Sequence, residues 1–415
     1  MNPVKLILIL LQIFLIVSLS NAQQTRADER QAADRQQGAI PEFQYKVVPV
    51  NITGHDSNRV TIAYAAEGYT AEELSTFPAH VQTAVDYLNT EILTTRPYSR
   101  YFRFFNIYRI DLVSPESGIS RAPSHGQPLT SEVKNVIGGT RDEDRLGWVN
   151  GRLAEVMFRQ AAETSGVGEF NWKYVILNNP GYHNSGGRHV VFSYNYAREI
   201  ALHEAGHGHH QLADEYYGKG TYTRDEPRQV NVTADSTGAK WKHWLGYADA
   251  DTILGTIGVY EGAIYADKGA YRPTPNSKMG WTSDRRPASF NAVCREKIIL
   301  DIYDIVRPLD SFADTSVIHV NPDSLWVNPV DSNVIRTDWY VDGELVATDG
   351  GTSLPLKMIA DKRGTYIVKA HSYDEVIRHS FSDNTDPHPL DLVRRDHDKL
   401  QQEVQWKVTV TRRIR

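Results

Sequence analysis

Hydrophobic and polar positions change their period several times along the chain, and each change marks an element. From Val60 to Ala66 the residues are nearly all apolar or β-branched, the pattern of a strand. Thr70-x-x-Glu73 beyond it has the spacing of a capping box. Val81, Val85, Leu88 and Ile92 then recur at helical intervals and predict a helix that buries all four. Phe104 to Val113 reads as a second strand, apolar on both faces as in a covered sheet. After a polar loop of Pro, Ser and Gly, helical spacing returns at Leu153, Val156, Met157 and Ala161. Tyr174 to Leu177 and Val190 to Phe192 are two more short strands. The order strand, helix, strand, helix, strand, strand leads into a helix around His203, and it predicts a mixed sheet covered by helices.

The second half has a different texture. Trp241, Trp244, Tyr247, Tyr260 and Tyr265 are spread among glycines, which suits loops around a cleft. Val293, Ile298, Ile302 and Ile305 predict a helix that Pro308 ends. Period-two alternation begins after Phe312, at Ser324 to Val327, Trp339 to Val341, Tyr366 to Ala370 and Val404 to Val410, with Asp342-Gly343 as a hairpin turn. About 100 residues of this kind suggest an Ig-like β-sandwich. A chain of 415 residues is long for one core, and length favours two domains. The expected division is a domain over 43–310 and a β-sandwich over 313–415. Behind its proline the latter is expected to be removable. Such modules bind glycans, proteins or merely the neighbouring domain.

Net charge of −6 leaves no basic footprint for nucleic acid. Residues 1–22 carry Lys5, a short apolar run and a small-polar end at Asn21-Ala22 before Gln23, as a secretory signal peptide does. Left uncut, the run would act as an N-terminal anchor; no other stretch could span a bilayer. Residues 23–42 hold few large apolar side chains and read as a flexible leader. The chain is thus expected outside the cytoplasm, secreted or in the cell envelope. Lone Cys294 can form no intramolecular disulfide and reads as a buried small hydrophobe. Asn51-Ile52-Thr53 and Asn231-Val232-Thr233 are glycan acceptors only in a host that adds N-glycans.

The chemistry is concentrated at His203-Glu204-Ala205-Gly206-His207. Four residues apart on a helix, His203 and His207 face one way and can offer two imidazoles to one cation, with Glu204 beside them. H-E-x-x-H is the pattern of a catalytic zinc helix, in which the carboxylate is the base for the metal's water. A solvated histidine-rich helix end could carry the same string by chance. Against that, Ala197, Ile200 and Ala201 make the approach apolar, Gly206 and Gly208 permit the helix to end, and Asp214-Glu215 follow the turn. Asp214, Glu215, His209 and His210 all offer a third ligand. His210 on a continued helix would fall on a straight line with the first two, so the ligand has to come from beyond a turn.

The string from His203 to Asp214-Glu215-Tyr216 resembles the signature of the IgA peptidase family of metzincin-type zinc endopeptidases. The resemblance extends upstream to Ala66-Glu67-Gly68-Tyr69-Thr70, Pro97-Tyr98-Ser99-Arg100-Tyr101 and Phe104-Phe105-Asn106-Ile107-Tyr108-Arg109, and downstream to Tyr271-Arg272-Pro273-Thr274-Pro275-Asn276-Ser277-Lys278-Met279. It departs from the common metzincin string where His210 and Ala213 stand in place of Gly and His. The resemblance implies an α+β fold with an active-site helix and a Met-turn, Zn2+ as cofactor, His203, His207 and Asp214 as ligands, and Glu204 as general base. It further implies Met279 as an apolar floor under the metal, where the plain alternative is a core methionine. Glu215 is then expected to face solvent or a basic partner. Tyr271 is the phenol nearest that floor and the candidate for stabilising the oxyanion. The loop Asn178 to Gly187 reads equally as a cleft border and as plain loop. The expected partner is a protein or peptide substrate, an immunoglobulin or another extracellular protein. Two other functions fit: a surface binding protein working through its β-domain, and a zinc amidase acting on cell-wall peptide.

Overall fold

Strand β2 (Val60–Glu67) has every residue buried and is central to the sheet that positions the site. The computed structural model describes residues 42–249, 251–280, 287–379 and 391–411. The expected signal peptide and nearly all of the expected leader lie outside them. β2 is flanked by β3 (Phe105–Leu112) and β4 (Trp172–Leu177), both parallel to it. The six-stranded order is β1-β3-β2-β4-β6-β5, in which β6 (Val190–Ser193) is parallel to β4. At the edges β1 (Tyr45–Asn51) and β5 (Asn184–Ser185) run antiparallel to their neighbours. The nearly unbroken apolar runs of β2 and β4 follow from cover on both faces.

Helix α1 (Phe77–Asn89) and helix α2 (Gly151–Ser165) make the crossovers between the parallel strands. The Thr70 capping box forms: Thr70 N donates to Glu73 Oε2 at 2.9 Å and Glu73 N to Thr70 Oγ1 at 3.4 Å. It caps a short 3-10 turn, and α1 starts only at Phe77, with Pro78 in its first turn. Val81, Val85 and Leu88 are buried as expected, but Ile92 is 44% exposed, because α1 stops at Asn89 and leaves it in the next turn. Strand β1 carries no strong alternation and was not foreseen. The architecture is mixed α+β, and no helix among the described residues is long and apolar enough to cross a membrane.

Glu67, the last residue of β2, is fully buried and gathers the loop behind it. Its carboxyl accepts Gly139 N at 2.7 Å and Ile137 N at 3.1 Å. Burial raises its pKa from an ordinary 4.5 to about 7, against the lowering effect of those backbone donors. A raised folded-state pKa means that the folded chain holds the proton more tightly. The corresponding stability is present in full below about pH 4.5 and is lost as pH rises through 7. Melting temperatures of wild type and Glu67→Gln measured from pH 4.5 to 8 are expected to show this loss in the wild type alone.

Beyond helix α4 (Ala292–Tyr303), two further sheets face each other. One has three strands, Leu309–Phe312, Ser324–Pro329 and Ser353–Pro355. The other has five, including Ile335–Val341, Gly364–Asp374 and Gln401–Val410. They share an apolar core in which Leu325, Val327 and Leu354 meet Trp339, Val368 and Trp406, and the two indoles stack with centroids 5.8 Å apart. Asp342 and Gly343 both take positive φ, 50° and 89°, as a mirror-image hairpin turn requires. This region is not self-contained. Val330, Val334, Ile335, Val376, Val393 and Leu400 are built into the larger core around the six-stranded sheet, and Phe43–Arg415 form one compact unit.

Candidate metal centre

Helix α3 (Glu199–Gly208) packs beside β6 with its first eight residues buried. It brings His203 and His207 together, Nε2 to Nε2, at 3.2 Å. The chain then reverses. Gln211 N donates to His207 O at 3.2 Å, the bond of an αL cap, and Leu212 N donates to Gly206 O at 2.9 Å. The residue in the left-handed position is Gln211, with φ of 54°, and not one of the glycines. Two residues beyond Leu212, Asp214 returns to the helix. Its Oδ1 lies 3.4 Å from His203 Nε2 and 3.1 Å from His207 Nε2.

Ligand atoms bound at roughly 2.0–2.1 Å to one tetrahedral ion stand ~3.3 Å apart. The three donor atoms here are 3.1, 3.2 and 3.4 Å apart, which fits. Two further features agree. Asp214 Oδ1 is buried and has no hydrogen-bond partner among the described residues. His203 Nδ1 faces Lys278 O at 2.7 Å and His207 Nδ1 faces Leu212 O at 2.8 Å. A carbonyl only accepts, so each Nδ1 carries the proton and each Nε2 offers a lone pair to the same point. Burial would lower the His207 pKa, but Asp214 and Glu204 outweigh it and push it up to about 9. Burial would likewise raise Asp214, yet the two imidazoles beside its Oδ1 hold it well below the carboxylate range. Two carboxylates, Asp214 and Glu204, beside the imidazoles give the site a negative character suited to a cation.

The glycines serve close packing. A Cβ on Gly206 would collide with Met279 Sδ, so Met279, fully buried, sits directly against the helix between the two histidines. On the other side, a Cβ on Gly186 would come within 2.6 Å of His207 Cβ. Helix α3 is thus held between the β5 strand end and the Met279 turn. That turn is locked twice. Lys278 and Glu199 form a buried ion pair, and Tyr87 also donates to Glu199. Glu215, only 1% exposed, accepts Ser277 Oγ at 2.6 Å and Asn231 Nδ2 at 2.9 Å, while its N–H donates to Met279 O at 2.7 Å. Glu215 was expected to face solvent or a basic partner. It is instead the buried hub of the lower half, satisfied by neutral donors.

His203, Glu204, His207 and Asp214 line one cleft of about 550 Å³. Glu204 stands next to the three donors without being one of them, and its Oε1 accepts Asn184 Nδ2. His209 and His210 point away: His209 stacks on Trp172 at 5.4 Å, and His210, fully buried, faces Asp301 Oδ2 at 2.8 Å. Burial keeps both below the usual histidine pKa. Tyr271 is not brought to the cleft. It lies on strand Ala266–Arg272, and its backbone exchanges hydrogen bonds with Thr233 at 2.8 and 3.1 Å. The tyrosines that line the cleft are Tyr182, Tyr216, Tyr217 and Tyr265, and Tyr265 OH donates to Asp214 Oδ2 at 2.8 Å. Asn184 was noticed only as part of a loop; its place at the end of a two-residue edge strand leaves no periodic signal.

A buried helix that aims two imidazoles and a returning carboxylate at one point, with a free carboxylate alongside, is the arrangement of a metallopeptidase. The family comparison agrees: the model described as IgA Peptidase M64 matches residues 48–252, and this part of the chain belongs to that family of peptidases. The match contains the three donors and Glu204 and ends short of Met279. No curated protein matches the chain.

Proposed function

We propose that this chain is a secreted zinc endopeptidase that hydrolyses peptide bonds of an extracellular protein, with His203, His207 and Asp214 holding the metal. The observation that carries the reading is the trio of donor atoms at tetrahedral spacing, one of them a buried oxygen with no hydrogen-bond partner among the described residues, next to a carboxylate outside the trio. Two imidazoles and one carboxylate are a donor set that zinc accepts. A zinc ion there would supply Lewis acidity, polarising a substrate carbonyl and lowering the pKa of water to about 7. Glu204 takes the proton of the attacking water and passes it to the leaving amine. Asn184 fixes one oxygen of Glu204 and so aims the other into the cleft. Export rests on the sequence of residues 1–22.

One observation favours the amidase reading. An open sheet edge beside the site would accept a substrate strand, but the outward side of Asn184 is already occupied. Asn184 N donates to Arg145 O at 3.0 Å, and Leu146 bridges to Asn184. The experiment is a cleavage screen of unfolded and native extracellular proteins alongside cell-wall peptides, with metal-stripped and zinc-restored protein. Zinc-restored cleavage of protein supports the endopeptidase, cleavage of cell-wall peptide alone supports the amidase, and cleavage that survives metal removal overturns both.

A further inference from the structure

The cleft is bordered from below by a hairpin whose tip is built against local preference. Strands Tyr260–Ala263 and Ala266–Arg272 pair antiparallel, and Ile264 and Tyr265 form the turn between them. Both take positive φ, 51° and 62°. Such a turn is normally supplied by Asn-Gly or a similar pair, because a side chain in left-handed backbone is strained, a β-branched one most of all. Strain of this kind persists where the surroundings over-determine it. Here Ile264 N donates to Asp214 O and Tyr265 N to Tyr216 O, each at 3.2 Å, which laces the tip to the segment that carries the carboxylate.

Counting protons gives the side-chain contacts a direction. Asp214 Oδ2 only accepts, so the single hydroxyl proton of Tyr265 goes to it across 2.8 Å. The Tyr216 hydroxyl, 2.5 Å from that of Tyr265, must therefore donate to Tyr265. The Arg145 guanidinium, which also only donates, stands beside both phenols. A one-way chain runs from Arg145 through Tyr216 and Tyr265 to Asp214, from cation to anion, and each donor polarises the next. With Oδ2 engaged, Oδ1 is the oxygen left facing the two imidazoles.

We propose that Tyr265 is a positioning residue for the metal site, holding Asp214 in the orientation in which one oxygen completes the trio, and that Tyr216 reinforces that hold. The proposal rests on the reading of the trio as a zinc site. Tyr265 acts through Asp214, so its removal is felt in metal binding before it is felt in chemistry.

The test uses the full-length chain carrying Tyr265→Phe, zinc competition against a chromophoric chelator, and the visible spectrum of the cobalt(II)-loaded protein. The expected result is a ten- to hundredfold weaker zinc affinity, the range for loss of a partner that orients a ligand. An altered cobalt spectrum, an unchanged melting temperature of the metal-free protein, and hydrolysis restored by excess zinc are expected with it. Tyr216→Phe is expected to change zinc affinity in the same direction by less. Wild-type zinc affinity and cobalt spectrum in Tyr265→Phe overturn the proposal whatever the activity does, as does an affinity loss that comes with a destabilised metal-free protein. His203→Ala separates the two levels. If it too keeps zinc, the metal-site reading fails; if it loses zinc while Tyr265→Phe does not, only the positioning role fails.

Discussion

Glu204→Gln is expected to slow hydrolysis by roughly 10²–10⁴-fold, the usual contribution of a general base, while zinc content stays near one per chain. The separation follows from the geometry. Glu204 is outside the trio of donor atoms and lines the same cleft, so its loss as a base removes no ligand. Glutamine fills the same volume and its carbonyl can still accept from Asn184 Nδ2, the contact that orients the native side chain. What it lacks is a second oxygen able to take a proton. His203→Ala and His207→Ala are expected to lose metal and hydrolysis together, since each deletes one of three donors. Metal analysis and initial rates on the same preparations check both statements. Undiminished hydrolysis by Glu204→Gln would remove Glu204 from the chemistry.

What was legible in the sequence was whatever one local period could carry. The apolar run of β2, the helical spacing around Val81 and Met157, and the i, i+4 pair of His203 and His207 each follow from side-chain geometry over a few residues. The carboxylate at Asp214 was reached by a turn argument together with the family pattern; the turn exists, but Gln211 makes it. The glycines that suggested a helix end are required by Met279, by the loop at Gly187 and by Val190 of β6, contacts that no period encodes. Tyr271, the phenol chosen, does not line the cleft, for a similar reason. Tyr271 follows the strand direction of its hairpin, whereas Tyr265 reaches the site because the tip takes a left-handed backbone that its residue types do not advertise. Glu215 was left for solvent or a basic partner once Asp214 was taken as the ligand, and Ser277, Asn231 and Asn291, brought in from three other segments, make its burial tolerable.

A chain cut after residue 312 is expected to be insoluble or to unfold without a cooperative transition, against the removable module that the change of texture suggested. The decisive residue is Asp374, fully buried at the end of strand Gly364–Asp374. It accepts Tyr101 OH at 2.6 Å, Tyr303 OH at 2.7 Å and Arg100 Nη2 at 3.0 Å, all of them from the part that carries the metal site. Truncation would leave a buried guanidinium and two phenols without this acceptor, and breaking a buried ion pair by removing one partner costs about 3–5 kcal/mol. It would also strip Val330, Val334, Ile335, Val376, Val393 and Leu400 from the larger core. At about 1.5–3 kcal/mol for each buried apolar side chain, these alone match the 5–15 kcal/mol that holds a typical domain folded. Asp374→Asn in the full chain is the milder companion. It keeps the shape and one acceptor oxygen, so it is expected to fold with a lowered melting temperature and intact zinc binding. Calorimetry and metal content of the two variants decide the matter: a soluble truncated protein that binds zinc and cleaves a short peptide would make the β-region a separable module after all, while a Tm loss in Asp374→Asn together with failure of the truncation would make it part of the peptidase fold.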